Sequence, residues 1–211
     1  MPGRRIRFLN TTPLAHAAGK WLAGQLELGA AREKTLKLGF DIALSWTTGM
    51  ALVAVVSRFL GCAIPGLVSA LAAFGLRVFS AGAHCGTAGR CALLMVFVYP
   101  VIGRVGVLVH ERVPAFSWVA AVYGLSAACT YMRARPRDPR DVRNRRFQPV
   151  AVGVLAAYLV FSSLNWRRSG VVDSTICGVA LGCLWQSVTV TEPGARLVRW
   201  IDRVMSDVGI E

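Results

Sequence analysis

Charge is what this sequence is short of. Only 17% of its 211 residues are Asp, Glu, Lys or Arg, against about a quarter in a water-soluble domain. So few charges cannot cover a solvated surface. Acidic residues are the scarcer sign, 11 against 24 Lys and Arg, which leaves a net charge of +13. That excess would suit a phosphate backbone, but the basic residues fall in the gaps between apolar runs, so nucleic acid is not the expected partner. No CxxC pair and no Cys/His ladder is present, which leaves structural zinc without a framework; no metal and no cofactor is expected. Internal repeats and low-complexity tracts are also missing. A removable signal peptide is not expected, because the arginines near the N-terminus are not followed by an apolar core with a cleavage site. Of the six cysteines, Cys62, Cys85, Cys91, Cys129, Cys177 and Cys183, four lie in or beside apolar runs, where Cys is a small hydrophobe.

What the chain has instead is hydrophobicity, 55% of residues with a mean hydropathy of +0.51. Six apolar segments can be traced, approximately 40–60, 62–79, 91–109, 115–132, 149–165 and 171–190, and several approach the roughly 20 residues that cross a bilayer core. The expected fold is an all-α integral membrane protein with about six transmembrane helices. Amphipathic helices are expected at both ends. Before residue 40, Leu14, Ala17, Ala18, Trp21, Leu22, Leu26 and Leu28 recur at mostly helical steps, with Lys20 and Glu27 turned to water; a soluble lead-in helix is the alternative. In the tail, Leu197, Trp200, Ile201 and Val204 repeat, with Arg196, Arg199 and Arg203 placed for lipid headgroups. One domain over 1–211 is expected: an interfacial region at 1–39, a bundle at 40–190 and a tail at 191–211. Pro65 and Pro100 predict kinks, and Pro65 leaves a re-entrant segment open at 62–79.

The arginines orient the bundle. With the N-terminus in the cytoplasm, that side holds seven Lys or Arg before residue 40, Arg77, Arg90, seven Arg in 133–146 and three in the tail, 19 in all. Arg58, Arg112, Arg167 and Arg168 fall outside. A multi-pass protein of a bacterial cell membrane is expected, its second loop facing the cytoplasm.

That loop, "RVFSAGAHCGTAGRC" from Arg77 to Cys91, carries the chemistry. A thiolate attacks a carbonyl, and a neighbouring imidazole takes the thiol proton and returns it to a leaving amine. His84 and Cys91 are seven residues apart, which on an ideal helix separates them by roughly 10.5 Å along the axis, too far to touch. The chain must therefore bend, and Gly82, Gly86 and Gly89 permit it. The spacing predicts a helix ending near His84, a Gly-rich turn, and a new helix starting close to Cys91, whose N-terminus would favour thiolate. Taken alone, the residues also allow an incidental loop, or a soft metal site built from His84, Cys85 and Cys91.

Arg77, Gly82, His84 and Cys91, at these intervals and with the "GAHC" run, resemble the signature of the accessory gene regulator B (AgrB) family, membrane cysteine endopeptidases that mature quorum-sensing peptides. The resemblance extends to the basic N-terminal region, the six apolar segments and the Pro-containing basic stretch "RPRDPRDVRNRRF". It implies Cys91 as nucleophile, His84 as its general base, and Arg77 and Gly82 as residues that hold loop or substrate. Cys85 reads as a packing residue. Where the family commonly has a second glycine this chain has Ala81, and an alanine is not expected to take positive φ.

The implied substrate is a propeptide with an amphipathic leader and an acidic C-terminal tail. The arginines of 133–146, Arg135 and Arg137 among them, are candidates to recruit that tail, with plain topology determination as the alternative. Tail cleavage through a thioester, then cyclisation to a thiolactone or lactone, is the implied reaction, and a homodimer the implied assembly. The competing class is a small transporter or channel, motivated by Arg104 and Asp173 inside apolar runs.

Overall fold

The computed structural model describes residues 12–112, 116–132, 148–170 and 172–209. Among these residues the chain forms eight helices and no strand. They are α1 (Thr12–Gln25), α2 (Ala30–Phe59), α3 (Ala63–Ser80), α4 (Ala88–Arg112), α5 (Phe116–Tyr131), α6 (Gln148–Ser169), α7 (Ser174–Val190) and α8 (Glu192–Asp207).

The centre of the bundle is α7. It packs against α3, α4, α5, α6 and α8, and it is buried nearly all round because its residues are small: Cys177, Gly178, Ala180, Gly182, Cys183 and Ser187 are all inside. Gly178 and Gly182, one turn apart, lie directly on the backbone of α3 at Pro65 and Ser69, with no room for a Cβ at either position. Such small-residue seams are how apolar helices gain contact when lipid offers no hydrophobic penalty to oppose. One core cluster joins α3, α5, α6 and α7 around Leu76, Val119, Leu155 and Cys183. A second joins α2, α3 and α4 around Met50, Val53, Ala73 and Tyr99.

Large side chains point outward instead: Phe59, Ile64, Phe97 and Phe161 are all exposed. Such surfaces are rare on soluble monomers. Helices α2, α3, α4 and α6 are each long and apolar enough to cross a membrane, and the pair α7–α8, bent by 89°, is a fifth candidate if counted as one span. The described parts of all six apolar runs lie on helices, but α5 and α7 have only 16 and 17 residues, short of the roughly 20 that span a bilayer core.

Several local expectations change. Helix α3 runs unbroken from residue 63 because Pro65 falls in its first turn, where the missing N–H has no intrahelical partner to lose. Helix α4 continues through Pro100 as one element. Helix α2 begins ten residues before its apolar run, and these extra turns carry the Glu33–Lys37 ion pair, an i,i+4 arrangement of the favourable polarity. Helix α1 packs on α2 through Ala15, Gly19 and Ala23, while Leu14 and Trp21 stay exposed. Asp173 caps α7 by accepting from the Thr175 and Ile176 N–H groups, and that capping role removes its motivation for a transport pathway.

Candidate active site between α3 and α4

The loop 81–87 begins with a backbone that the sequence does not announce. Ala81 has φ 58° and ψ −142°, a region essentially reserved for glycine. This corrects the expectation that alanine here avoids positive φ. The conformation is held from three sides: Ala81 N–H donates to the Arg77 carbonyl at 2.9 Å, and its own carbonyl accepts from Gln186 Nε2 at 2.5 Å and from Ser80 Oγ at 3.2 Å. Gly82 comes next at φ 141°, and a Cβ there would stand 2.9 Å from both Gln186 Nε2 and Thr189 Oγ1. Ala83 N–H then donates to the Thr189 carbonyl at 3.3 Å.

Two consecutive positive-φ residues carry the chain out of α3 at Ser80, four residues before the expected helix end at His84. His84 therefore stands on the loop. The bonds that stabilise this exit come from α7, more than a hundred residues away, which is why a local window does not show it.

Arg77, in the last turn of α3, ties the loop to both α7 and the histidine. Its Nη2 donates to the Ala83 carbonyl at 2.6 Å and to His84 Nδ1 at 2.9 Å, and its Nη1 donates to Gln186 Oε1 at 3.4 Å. A guanidinium can only donate, so His84 Nδ1 is the unprotonated nitrogen, and the neutral ring carries its proton on Nε2. Gln186 is fully buried and uses both ends of its amide, Oε1 for Arg77 and Nε2 for Ser80 Oγ and the Ala81 carbonyl. A buried amide satisfied on both sides fixes its neighbours as well as itself.

Helix α4 starts at Ala88, with Thr87 Oγ1 accepting from Arg90 N–H at 3.3 Å as an N-terminal cap does. Cys91 thus lies in the first turn, as its spacing requires. Cys91 shares the lining of one cleft with Cys85 and Arg77, and His84 stands on the loop beside them, held by Arg77. The Cys85 thiol is pushed well above the ordinary range by its interaction with the neighbouring Cys91 and by partial burial. Arg77, Cys85, Cys91, Met95, Tyr99, Trp185 and Val198 line this cleft.

The structure thus brings together Arg77, Gly82, His84 and Cys91. Arg135 and Arg137 lie outside the described residues. Sequence reasoning missed Gln186, Thr189 and Asp202, the last of which accepts from Gly86 N–H at 3.0 Å and from Arg90 at 2.9 Å. A glutamine in the middle of an apolar run was the available signal for the first of these. Among the described residues no group of three or more His, Cys, Asp or Glu side chains is placed to hold a metal ion.

No curated protein and no solved structure matches the chain. The accessory gene regulator B family model matches residues 16–190, which takes in Arg77, Gly82, His84 and Cys91 and stops short of α8. The chain belongs to the accessory gene regulator B family.

Proposed function

We propose that this protein is a membrane cysteine endopeptidase that removes the C-terminal tail of a quorum-sensing propeptide. The carrying observation is that Arg77, Cys85 and Cys91 line one cleft while Arg77 also holds His84 at 2.9 Å. Family membership fits this reading, since the family serves accessory gene regulation and quorum-sensing signal processing.

The chemistry derives from the donors. Nδ1 is the one ring nitrogen of neutral His84 with a lone pair, and Arg77 occupies it, so the Cys91 proton reaches His84 only once Arg77 has left that nitrogen. Arg77 therefore slides off Nδ1 onto the Ala83 carbonyl and Gln186, its other two partners. The thiolate attacks the carbonyl ahead of the tail, the C–N bond breaks, and His84 returns its proton to the leaving amine. A thioester to Cys91 remains. A Cys thiol or Ser hydroxyl of the bound peptide then attacks this thioester, releasing Cys91 and closing a thiolactone or lactone. Thioester exchange is nearly neutral in energy, so positioning of the peptide nucleophile and exclusion of water decide between cyclisation and hydrolysis.

The surroundings suit a peptide with an amphipathic leader and an acidic tail. Thr130 and Gln148 flank the seven arginines of 133–146. Thr130 Oγ1 donates to Ser187 Oγ at 3.1 Å, and Gln148 Nε2 donates to the Thr130 carbonyl at 2.9 Å, so the described residues that border the basic stretch are joined to each other and to α7. Arg135 and Arg137 would recruit the tail from there. Six crossings, with loop 81–87, this basic segment and α8 on the cytoplasmic side of a bacterial cell membrane, accord with the 19 basic residues on that side, and the working assembly is a homodimer.

The test uses purified protein in lipid with a propeptide encoded by a neighbouring reading frame. Wild type should release free tail and carry an acyl adduct on Cys91 by mass spectrometry, while Cys91→Ala and His84→Ala release none. Processing by Cys91→Ala would sink the mechanism.

A further inference from the structure

Helix α8 begins after residue 190, where the family match ends, and the thioester chemistry makes no use of it. Yet it reaches the loop. The chain turns by 89° between α7 and α8, so α8 crosses the end of the bundle instead of prolonging α7. Its buried stripe is Gly194, Val198 and Met205, and Asp202 stands on the same face, one turn after Val198. An acidic side chain on an inward stripe needs partners to offset its lost hydration. Asp202 Oδ1 has two, Gly86 N–H at 3.0 Å and Arg90 Nη1 at 2.9 Å, and its backbone carbonyl takes a third bond from Arg90 at 3.3 Å. Arg90 Nε continues to Thr87 Oγ1 at 3.2 Å, which leads the contact into the first turn of α4. Val198 meanwhile forms part of the cleft wall.

We propose that Asp202 is a positioning residue, and α8 an external strut, for the reaction at Cys91. Gly86 and Arg90 bracket the turn that delivers Cys91 to the cleft, and a single carboxylate fixes both. Residues 81–83 are stitched to α7 by other bonds. The relative placement of His84 and Cys91 is therefore set jointly by α7 and α8. The catalytic part of this inference rests on the peptidase reading, whereas the contact itself does not.

The experiment takes the full-length protein in phosphatidylglycerol–phosphatidylethanolamine vesicles as wild type, Asp202→Ala, Asp202→Asn and, as a surface comparison, Asp207→Ala. Two quantities are read: amide hydrogen exchange of the peptide containing Gly86, and steady-state kinetics of tail release. In Asp202→Ala, exchange at Gly86 should quicken at least about tenfold as its acceptor is lost. Its kcat should fall roughly ten- to hundredfold with KM within about twofold, the signature of a misplaced reacting group. Asp202→Asn keeps an acceptor for Gly86 but loses the charge facing Arg90, and should fall between. If Asp202→Ala does not fold, Asp202→Asn decides on the same two readouts.

A wild-type kcat in Asp202→Ala would overturn the proposal. So would an equal fall in Asp207→Ala, or a rise in KM alone, which would make α8 a substrate contact. Absence of tail release from the wild type, with Gly86 protection still lost in Asp202→Ala, removes the peptidase reading and the catalytic role together but leaves the strut. Equal release by both proteins with unchanged exchange removes the strut and leaves the peptidase.

Discussion

The two halves of loop 81–87 are fixed by opposite means. The first half is dry: Ala81, Gly82 and Ala83 lean on Gln186 and Thr189, both buried, through backbone carbonyls and a neutral amide. The second half is wetter and charged, with Gly86 and Arg90 sharing Asp202, whose side chain is 20% exposed. His84 comes after the dry half and Cys91 after the charged half. The difference teaches that the two residues of the family signature, His84 and Cys91, need not be positioned by one support. The dry anchor is expected to carry more of the stability than the charged one.

Substitutions at the dry anchor should therefore cost the most stability. Gln186→Leu leaves the Ala81 carbonyl without its Gln186 donor and removes one partner from Arg77. It should destabilise the protein by about 3 kcal/mol, the sum of two buried polar groups losing partners, read as a fall in the thermal unfolding midpoint in detergent. Asp202→Asn, at the charged anchor, should cost less, about 1–2 kcal/mol in the same assay, since it keeps an acceptor for Gly86 while Arg90 loses its charged partner. Equal losses would erase the contrast.

Gly82→Ala tests the same half by crowding instead of deletion. The added methyl meets two polar side-chain atoms at 2.9 Å, and φ stays at 141°, so a loss of about 2 kcal/mol is expected. The midpoint measurement applies, and His84-dependent tail release should fall with it. The smallest effect runs the other way. Ala81→Gly relieves the positive φ and should raise stability by about 1 kcal/mol, with unchanged processing. A destabilised Ala81→Gly would mean the bonds to Arg77 and Gln186 do not depend on the strained conformer.

Much of this was legible in the sequence, for reasons that can be named. The apolar runs declared the helices, and the Arg77–Gly82–His84–Cys91 spacing located the loop, because each is a short-range pattern. The helix end at Ser80 was misplaced by four residues, and the positive φ at Ala81 was judged unavailable. Both are decided by Gln186 and Thr189, which lie more than a hundred positions away. In α8 the apolar stripe and the arginines drew the reading toward lipid, and Asp202 passed unnoticed between Ile201 and Arg203. Its role depends on an 89° corner that no periodicity encodes. The length of α2 was likewise hidden, since five of its first ten residues, Arg32, Glu33, Lys34, Thr35 and Lys37, are polar and two of them form an ion pair.

That corner also has a consequence in time. Arg77 and Gln186 are 109 residues apart, and Gly86 and Asp202 are 116 apart. At the ordinary pace of synthesis, about 5–20 residues per second, the loop waits roughly 5–20 s for either anchor to emerge. During that interval Ala81 has no Gln186 to hold it and Cys91 has no fixed neighbour. The loop's conformation is therefore completed only when the last helices of the chain have been made.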